Sequence, residues 1–336
     1  MRRKVIKQGH NTLTITLPNS WVKRFNLKAG DDIQVLEQEH GLVISTERKD
    51  DHRKTTIDIT GLDIPTIWKY FMAVYREGYD EVKVVFRPQD RYEHPYKFFT
   101  SHAVDSHYEK KKQSCLPFEL VQQITHRFIG FEVIEHHPNY CIIRDMADLS
   151  PKEFDSSLRR VFLLVQQMGE EIISSIQKDT PTSLLHLHDI DIQVDKFHDY
   201  CIRVLHKTGF KGIKKSNIIF SILYLLELVG DEFKNIARHL LEDLNGKSLK
   251  NLLQLAELTQ DHFNQFYNLF YQFDQNKALA MSKRDMDIYF YLPELHKKKS
   301  GKISGLSYEE LEVYSHFRRI SRYLNALVEL RIEMEF

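Results

Sequence analysis

Cysteine is scarce in this chain of 336 residues: Cys115, Cys141 and Cys201 stand far apart, with no CxxC pair. That excludes a disulfide framework and a cysteine-built zinc site, and suits a reducing compartment. Long apolar runs are missing too. The longest, around residues 218–229, is interrupted by Ser221 and Glu227 and is too short to span a bilayer. The start, MRRKVIKQGH, has no apolar signal-peptide core and passes directly into alternating threonine and apolar residues. A cytoplasmic protein without transmembrane segments is expected. Net charge is also absent: 47 Lys and Arg balance 47 Asp and Glu, so overall charge selects no partner. Residues 51–150 show no nucleophile elbow, phosphate loop or catalytic acid pair, and a non-enzymatic role is expected of the chain. What acid there is avoids the N-terminus. Residues 1–30 hold seven basic side chains (Arg2, Arg3, Lys4, Lys7, Lys23, Arg24 and Lys28) and no Asp or Glu. A face that binds a polyanion requires such an asymmetry.

At roughly 100–200 residues per domain, the length allows two or three domains. The first is compact. Leu13, Ile15 and Leu17 alternate with Thr12, Thr14 and Thr16, the period of a strand with one buried face. Pro18-Asn19-Ser20 breaks the pattern, and Ser20 is positioned to cap a short helix over 21–25. Leu27-Lys28-Ala29-Gly30-Asp31 reads as a turn into a strand over 33–36, and Glu39-His40-Gly41 as a turn into 42–45. With a strand over 4–7 ahead of Gly9-His10-Asn11, four short strands and one helical turn occupy the first 46 residues. Below roughly 50 residues a lone chain rarely buries enough surface to fold. A second copy sharing one interleaved barrel is the simplest remedy, so a homodimer is expected.

The run ITLPNSWVKRFNLKAGDDIQV, within residues 1–47, resembles the SpoVT/AbrB-type swapped-hairpin DNA-binding domain. The shared pattern is strand, Leu/Ile-Pro, short helix, Leu-x-x-Gly-Asp, strand. The resemblance implies DNA contact through the N-terminal strand and first turn, at Arg2, Arg3, Lys4, Lys7, His10 and Asn11. A basic strand kept charged against aggregation is the plain alternative, and some relatives of this fold bind proteins instead.

Residues 54–60 alternate like a strand, 64–76 carry helical apolar spacing, and 81–86 are again a strand, which together predict a small α+β layer. Polar residues 87–114 read as loop, and His94, His102 and His107 match no metal-ligand spacing. A helix over 118–128 and a hairpin of 130–135 with 140–144 complete a middle region that reads as a spacer or a ligand-sensing layer.

From Leu149-Ser150-Pro151 onward the chain reads as helical, and it repeats itself. DIDIQVDKFHDYCIRVLHKTG (189–209) matches MDIYFYLPELHKKKSG (286–301), and ILYLLELVGDEFKNIA (222–237) faces EVYSHFRRISRYLNAL (312–327). Two three-helix units follow, over about 155–243 and 246–334. Within the first, Glu227, Asp231 and Asn235 stand at i, i+4 and i+8, while Asp191 and Asp195 share that spacing on the preceding helix. Two helices offering carboxylates at i, i+4 can hold a hard cation between them. A wet face of the bundle is the alternative. Di-metal oxidases also use four helical carboxylates, but their Glu-x-x-His pairs are missing in the right place.

This half resembles the PhoU family, regulators of phosphate uptake built from two three-helix repeats, with LELVGDEFKNIA the closest stretch to that family's Asp/Glu-xxx-Asp motif. The resemblance implies a metal ion, iron, zinc or another divalent, on Asp191, Asp195, Glu227 and Asp231. In the second repeat Arg318 and Arg322 replace the acidic pair, and they are expected to pair with Asp285 or Asp287, or else to bind an anion such as phosphate. Lysine runs at 211–215 and 297–302 read as solvated turns.

The expected fold is thus multidomain α+β. Residues 1–50 form an AbrB-like swapped-hairpin β-barrel, 51–150 an α+β region and 151–336 an all-α PhoU-like bundle. That order resembles an archaeal architecture of phosphate uptake regulators. It implies a transcriptional regulator with DNA and itself as partners, or an adaptor that contacts phosphate transporter or sensor subunits and uses its N-terminus only to dimerise.

Overall fold

The computed structural model describes residues 3–9, 12–38, 41–46, 52–93, 114–147, 151–208, 215–242, 249–298 and 308–336. Arg2, His10, Asn11, the histidines at 94, 102 and 107, and most of both lysine runs lie outside them. Two compact units result, Met1–His52 and Arg53–Phe336.

In the first unit, β1 (Ile6–Gln8) and β2 (Thr12–Thr14) form one antiparallel hairpin with Lys7 opposite Leu13. A second hairpin joins β3 (Ile33–Gln38) to β4 (Gly41–Thr46), with Ile33 opposite Thr46. Between them α1 spans Asn19–Arg24. Ser20 is not its cap: the helix starts earlier, and the Pro18 carbonyl accepts from Trp21 N (3.0 Å) and Val22 N (2.9 Å). Pro18, with φ fixed at −63°, suits the entry to a helix. The following turn is set by Asp31, whose carboxylate accepts from Lys28 N at 2.8 Å, and by Gly30 at φ +98°, a conformation glycine adopts without strain.

Each hairpin stands as its own two-stranded sheet, and no closed barrel forms among the described residues. No described side chain of this unit is buried. Ile6, Leu13, Val35 and Leu42 on the strands are open instead, at 52% to 70%. The alternation that predicts a buried face is present, but the described residues of this unit do not bury it.

In the second unit, four strands run in the order β5 (Lys54–Asp58), β6 (Glu81–Val85), β10 (Tyr140–Asp145), β9 (Phe131–His137). β5 and β6 are parallel, joined by α2 (Ile64–Arg76), and the other pairings are antiparallel. Asp63 starts α2 by accepting from Thr66 N at 2.8 Å. The helix then buries Ile64, Ile67, Phe71, Val74 and Tyr75, one face at spacings of three and four. Gly78 ends the turn at φ +80°, and a Cβ there would meet the Lys207 stem at 2.5 Å. α3 (Pro117–Thr125) opens on a proline, with Glu119 accepting from Leu116 N at 2.8 Å. A two-residue pairing of β7 (Tyr92–Glu93) with β8 (Ser114–Cys115) flanks the segment expected to be loop.

Six long helices follow: α4 (Pro151–Lys178), α5 (Leu187–Lys207), α6 (Ser216–Glu242), α7 (Leu249–Tyr271), α8 (Gln275–Lys298) and α9 (Tyr308–Glu333). A 3₁₀ turn, Pro181–His186, leads into α5. Each of α4, α5 and α6 packs on the other two, and so does each of α7, α8 and α9. α6 against α9 and α4 against α7 join the two trios within one chain. α4 shows why: Phe154, Leu158, Val161, Phe162, Val165, Met168, Ile172 and Ile176 are all buried along one stripe. Gly169 lets α7 approach, since a Cβ there would collide with Gln260 Oε1. The sheet layer and the helices have separate apolar cores. All three cysteines are free and buried. No described helix is long and apolar enough to cross a membrane.

Candidate functional site

Arg3, Lys4 and Lys7 are exposed, Lys7 on β1 and the others just before it. The described part of the N-terminal strand therefore offers its cations to solvent with no acidic neighbour in the sequence around it.

In the second unit a cavity of about 230 Å³ lies where α2 and the turn after α3 meet α5 and α6. Asp191, Asp195, Asp199 and Glu227 line it, and so do Arg76, Arg127, Lys196 and Lys234. The structure thus brings three of the four expected metal ligands to one wall, and adds four cations beside them. Lys234 Nζ bonds Asp191 Oδ2 at 2.8 Å and also Asp231, one turn back on α6. Arg76 holds Asp199 (Nε to Oδ1, 2.7 Å), and Arg127 reaches Asp195 at 3.9 Å. The chain's own cations already hold four of these five carboxylates, so a metal ion here would have to displace an ammonium or guanidinium group. The fit to a cation is poor.

The electrostatics follow from that crowding. Burial works against the Lys234 ammonium, yet Asp191 and Asp231 outweigh it and raise its pKa. Burial pushes the Asp191 carboxyl up against the pull of Lys234. Asp195 is pushed well up, first by burial and then by Asp191 and Asp199, although its side chain keeps 41% exposure and water relieves part of the push. Among the described residues Glu227 has no hydrogen bond or ion pair, and burial, followed by Asp231 and Asp191, raises its pKa to about 7. Its charge therefore changes near neutral pH.

Sequence reasoning about the acidic stripe missed the cations. Lys234 is three residues after Asp231, on the same helical face, and that spacing was the available signal. Arg76 and Arg127 come from the middle region, which is therefore no mere spacer: it supplies a wall of the cavity.

The second trio carries a different pocket. Arg318, Arg319 and Arg322 on α9, with Ser315 and Tyr289, line an open cavity of about 370 Å³. The expected ion pairs of Arg318 and Arg322 do not form among the described residues. Asp285 is buried and accepts from Ser321 Oγ, and the Arg318 guanidinium stacks 4.5 Å from the centre of the Tyr289 ring. A buried aspartate satisfied by a neighbouring hydroxyl has no need of a guanidinium.

Over residues 6–52 the chain matches the family described as Antidote-toxin recognition MazE, bacterial antitoxin. No curated protein matches the chain. Two solved structures are similar in fold over 55% of it. One is the phosphate transport system regulatory protein PhoU from Streptococcus pneumoniae, at 18% identity, 94% of that chain and TM-score 0.46. The other is PhoU from Pseudomonas aeruginosa, at 15% identity, 96% of that chain and TM-score 0.47.

Proposed function

We propose that the chain is a homodimeric, DNA-binding regulator of phosphate uptake whose helical part senses an anionic effector. One observation carries the first half: the N-terminal unit combines an acid-free basic strand with apolar hairpins that one chain leaves open. A second copy closing over those hairpins would complete a swapped-hairpin barrel and set two basic edges side by side. The family match over residues 6–52 supports this reading. The PhoU-like motif around LELVGDEFKNIA supports the link to phosphate. For the effector, the Arg318–Arg322 pocket is the better candidate than the acidic cavity, because two of its guanidinium groups have no carboxylate partner among the described residues.

Fluorescence anisotropy on genomic-fragment DNA across a salt series tests the DNA half. Wild type is expected to bind with a steep negative salt slope, and Arg3→Ala/Lys4→Ala/Lys7→Ala to flatten it by about 0.9 per lost phosphate contact. A dimer without DNA affinity even at low salt would sink this reading in favour of the adaptor, a protein that meets transporter or sensor subunits and uses its N-terminal unit only to dimerise. For the effector half, inorganic phosphate titrated calorimetrically into the full chain should lose at least about tenfold in affinity with Arg318→Ala/Arg322→Ala, since hydrogen bonds to charged groups contribute about 1.5–3 kcal/mol each. Equal affinity of wild type and variant would remove the pocket from consideration.

A further inference from the structure

A second cluster of ligating side chains lies apart from both cavities, where α6 packs on α9. His239 comes from α6; Glu312 and His316 come from α9 at i, i+4, hence on one face. One donor atom of each lies within 4.8 Å of the other two, the only such set of three among the described residues. We propose that His239, Glu312 and His316 bind a divalent transition-metal ion of the zinc type, bridging the two helix trios.

The geometry around the set favours that chemistry. Both imidazoles are buried, each at 5% exposure, with ring centres 5.3 Å apart. His239 directs Nδ1 to Glu309 Oε2 at 2.5 Å, and His316 directs Nδ1 to Glu232. At His239 a carboxylate accepting from Nδ1 fixes the proton there, which leaves the Nε2 lone pair for a metal; at His316 the Arg319 Nη2 competes with Glu232 for Nδ1, and its withdrawal restores the same arrangement. Zinc bonds of about 2.0–2.2 Å place ligand atoms roughly 3.3–3.5 Å apart in a tetrahedron. From a 4.8 Å envelope, side-chain adjustment is enough to close the set. Two nitrogens and one carboxylate oxygen suit zinc over magnesium or calcium, and three protein ligands leave a fourth position for water.

One group opposes a cation. Arg319 Nε sits 2.9 Å from both Glu232 oxygens, and its Nη2 lies against the His316 ring, 2.5 Å from Nδ1 and 3.4 Å from Nε2. Its side chain is 42% exposed, so the guanidinium can withdraw toward solvent while Glu232 stays on His316. Against it stand three carboxylates, Glu232, Glu309 and Glu312. The site shares no residue with the acidic stripe of Asp191, Asp195, Glu227 and Asp231.

The test uses the full chain, stripped with a chelator and titrated separately with Zn²⁺ and Co²⁺. About one ion per chain should bind, cobalt should show the intense visible absorption of a tetrahedral site, and zinc should raise the unfolding temperature. Glu309→Gln, which leaves the ligands in place, should weaken binding about 10- to 100-fold. His239→Gln and His316→Gln should abolish the cobalt spectrum. Arg319→Gln should tighten binding, an outcome that misfolding cannot imitate. A stripped chain that takes up neither ion would overturn the proposal. So would binding untouched by His239→Gln, Glu309→Gln and Arg319→Gln; its loss with Asp191→Asn instead would place the ion in the acidic cavity.

Discussion

Arg203→Met is expected to destabilise the second unit by about 3–5 kcal/mol, because it removes one partner of a buried charge pair and leaves the other uncompensated. Arg203 is fully buried on α5. Its Nη1 donates to Tyr75 O (2.6 Å), and its Nη2 donates to Tyr79 O (2.7 Å) and Asp145 Oδ2 (2.6 Å). The same guanidinium lies 4.8 Å from the Tyr75 ring centre and 4.9 Å from that of Phe131. Methionine keeps much of the packing, but strands two backbone carbonyls and a carboxylate whose side chain is 2% exposed. Lys207, 3.2 Å from Asp145, limits the damage. Urea unfolding of wild type, Arg203→Met, Asp145→Asn and the double variant should show strong non-additivity, the double costing well below the sum of the singles. A loss under about 1 kcal/mol for Arg203→Met would mean that the pair is close to neutral, as some buried ion pairs are. The consequence for function is local. Arg203 ties the end of α2 and the last strand to α5, and α2 carries Arg76 into the acidic cavity. Loosening that tie should release Arg76 from Asp199 before any helix of the bundle unfolds.

The helices of the second unit were legible because of their apolar stripes at 3.6-residue spacing. The α2 helix and the β9–β10 hairpin were legible for the same kind of reason, a clean period bounded by turns. Sheet order was not, since nothing local in β6 says that it pairs with both β5 and β10. At the N-terminus the alternation of Leu13 and Ile15 was legible as a pattern, but among the described residues of that unit nothing covers it. Charged residues were the weak point. Arg203, in the run Cys201-Ile202-Arg203-Val204-Leu205, reads as the polar interruption of a helix, and only the tertiary approach of Tyr75, Tyr79 and Asp145 makes it a buried anchor. Lys234 and Arg127 likewise pair with carboxylates of the expected metal stripe, and nothing local in the sequence announces the pairs with Asp191 and Asp195. The expected ion pairs of Arg318 and Arg322 do not form among the described residues, and at Asp285 the reason is local: Ser321 reaches it first.

Glu227→Gln is expected to raise stability at pH 8 and to flatten its pH dependence between about pH 5 and 7. Burial, with Asp231 and Asp191, raises this carboxyl to about 7 in the folded chain, against an ordinary glutamate value of 4.5. Between those values the folded state holds a proton that the unfolded state has released, so stability falls as pH rises through the window. Below it both states are protonated and nothing is lost; above it the full cost of a charged Glu227 is present. Asp231 and Asp191 oppose that charge, while Lys234 and Arg76 favour it but already serve other carboxylates. Because Glu227 is only partly buried, the cost at pH 8 is about 1–3 kcal/mol rather than the full value of the shift. Glutamine keeps the shape and never ionises, so it removes this term and leaves the pairs of Lys234 and Arg76 intact. Chemical denaturation of both proteins at pH 5, 6, 7 and 8 reads the effect directly. Curves that run parallel from pH 5 to 8 would show that Glu227 carries no such proton. Divergence that grows with pH, with the variant the more stable, would make Glu227 the group whose proton relieves the crowding of the cavity's acids.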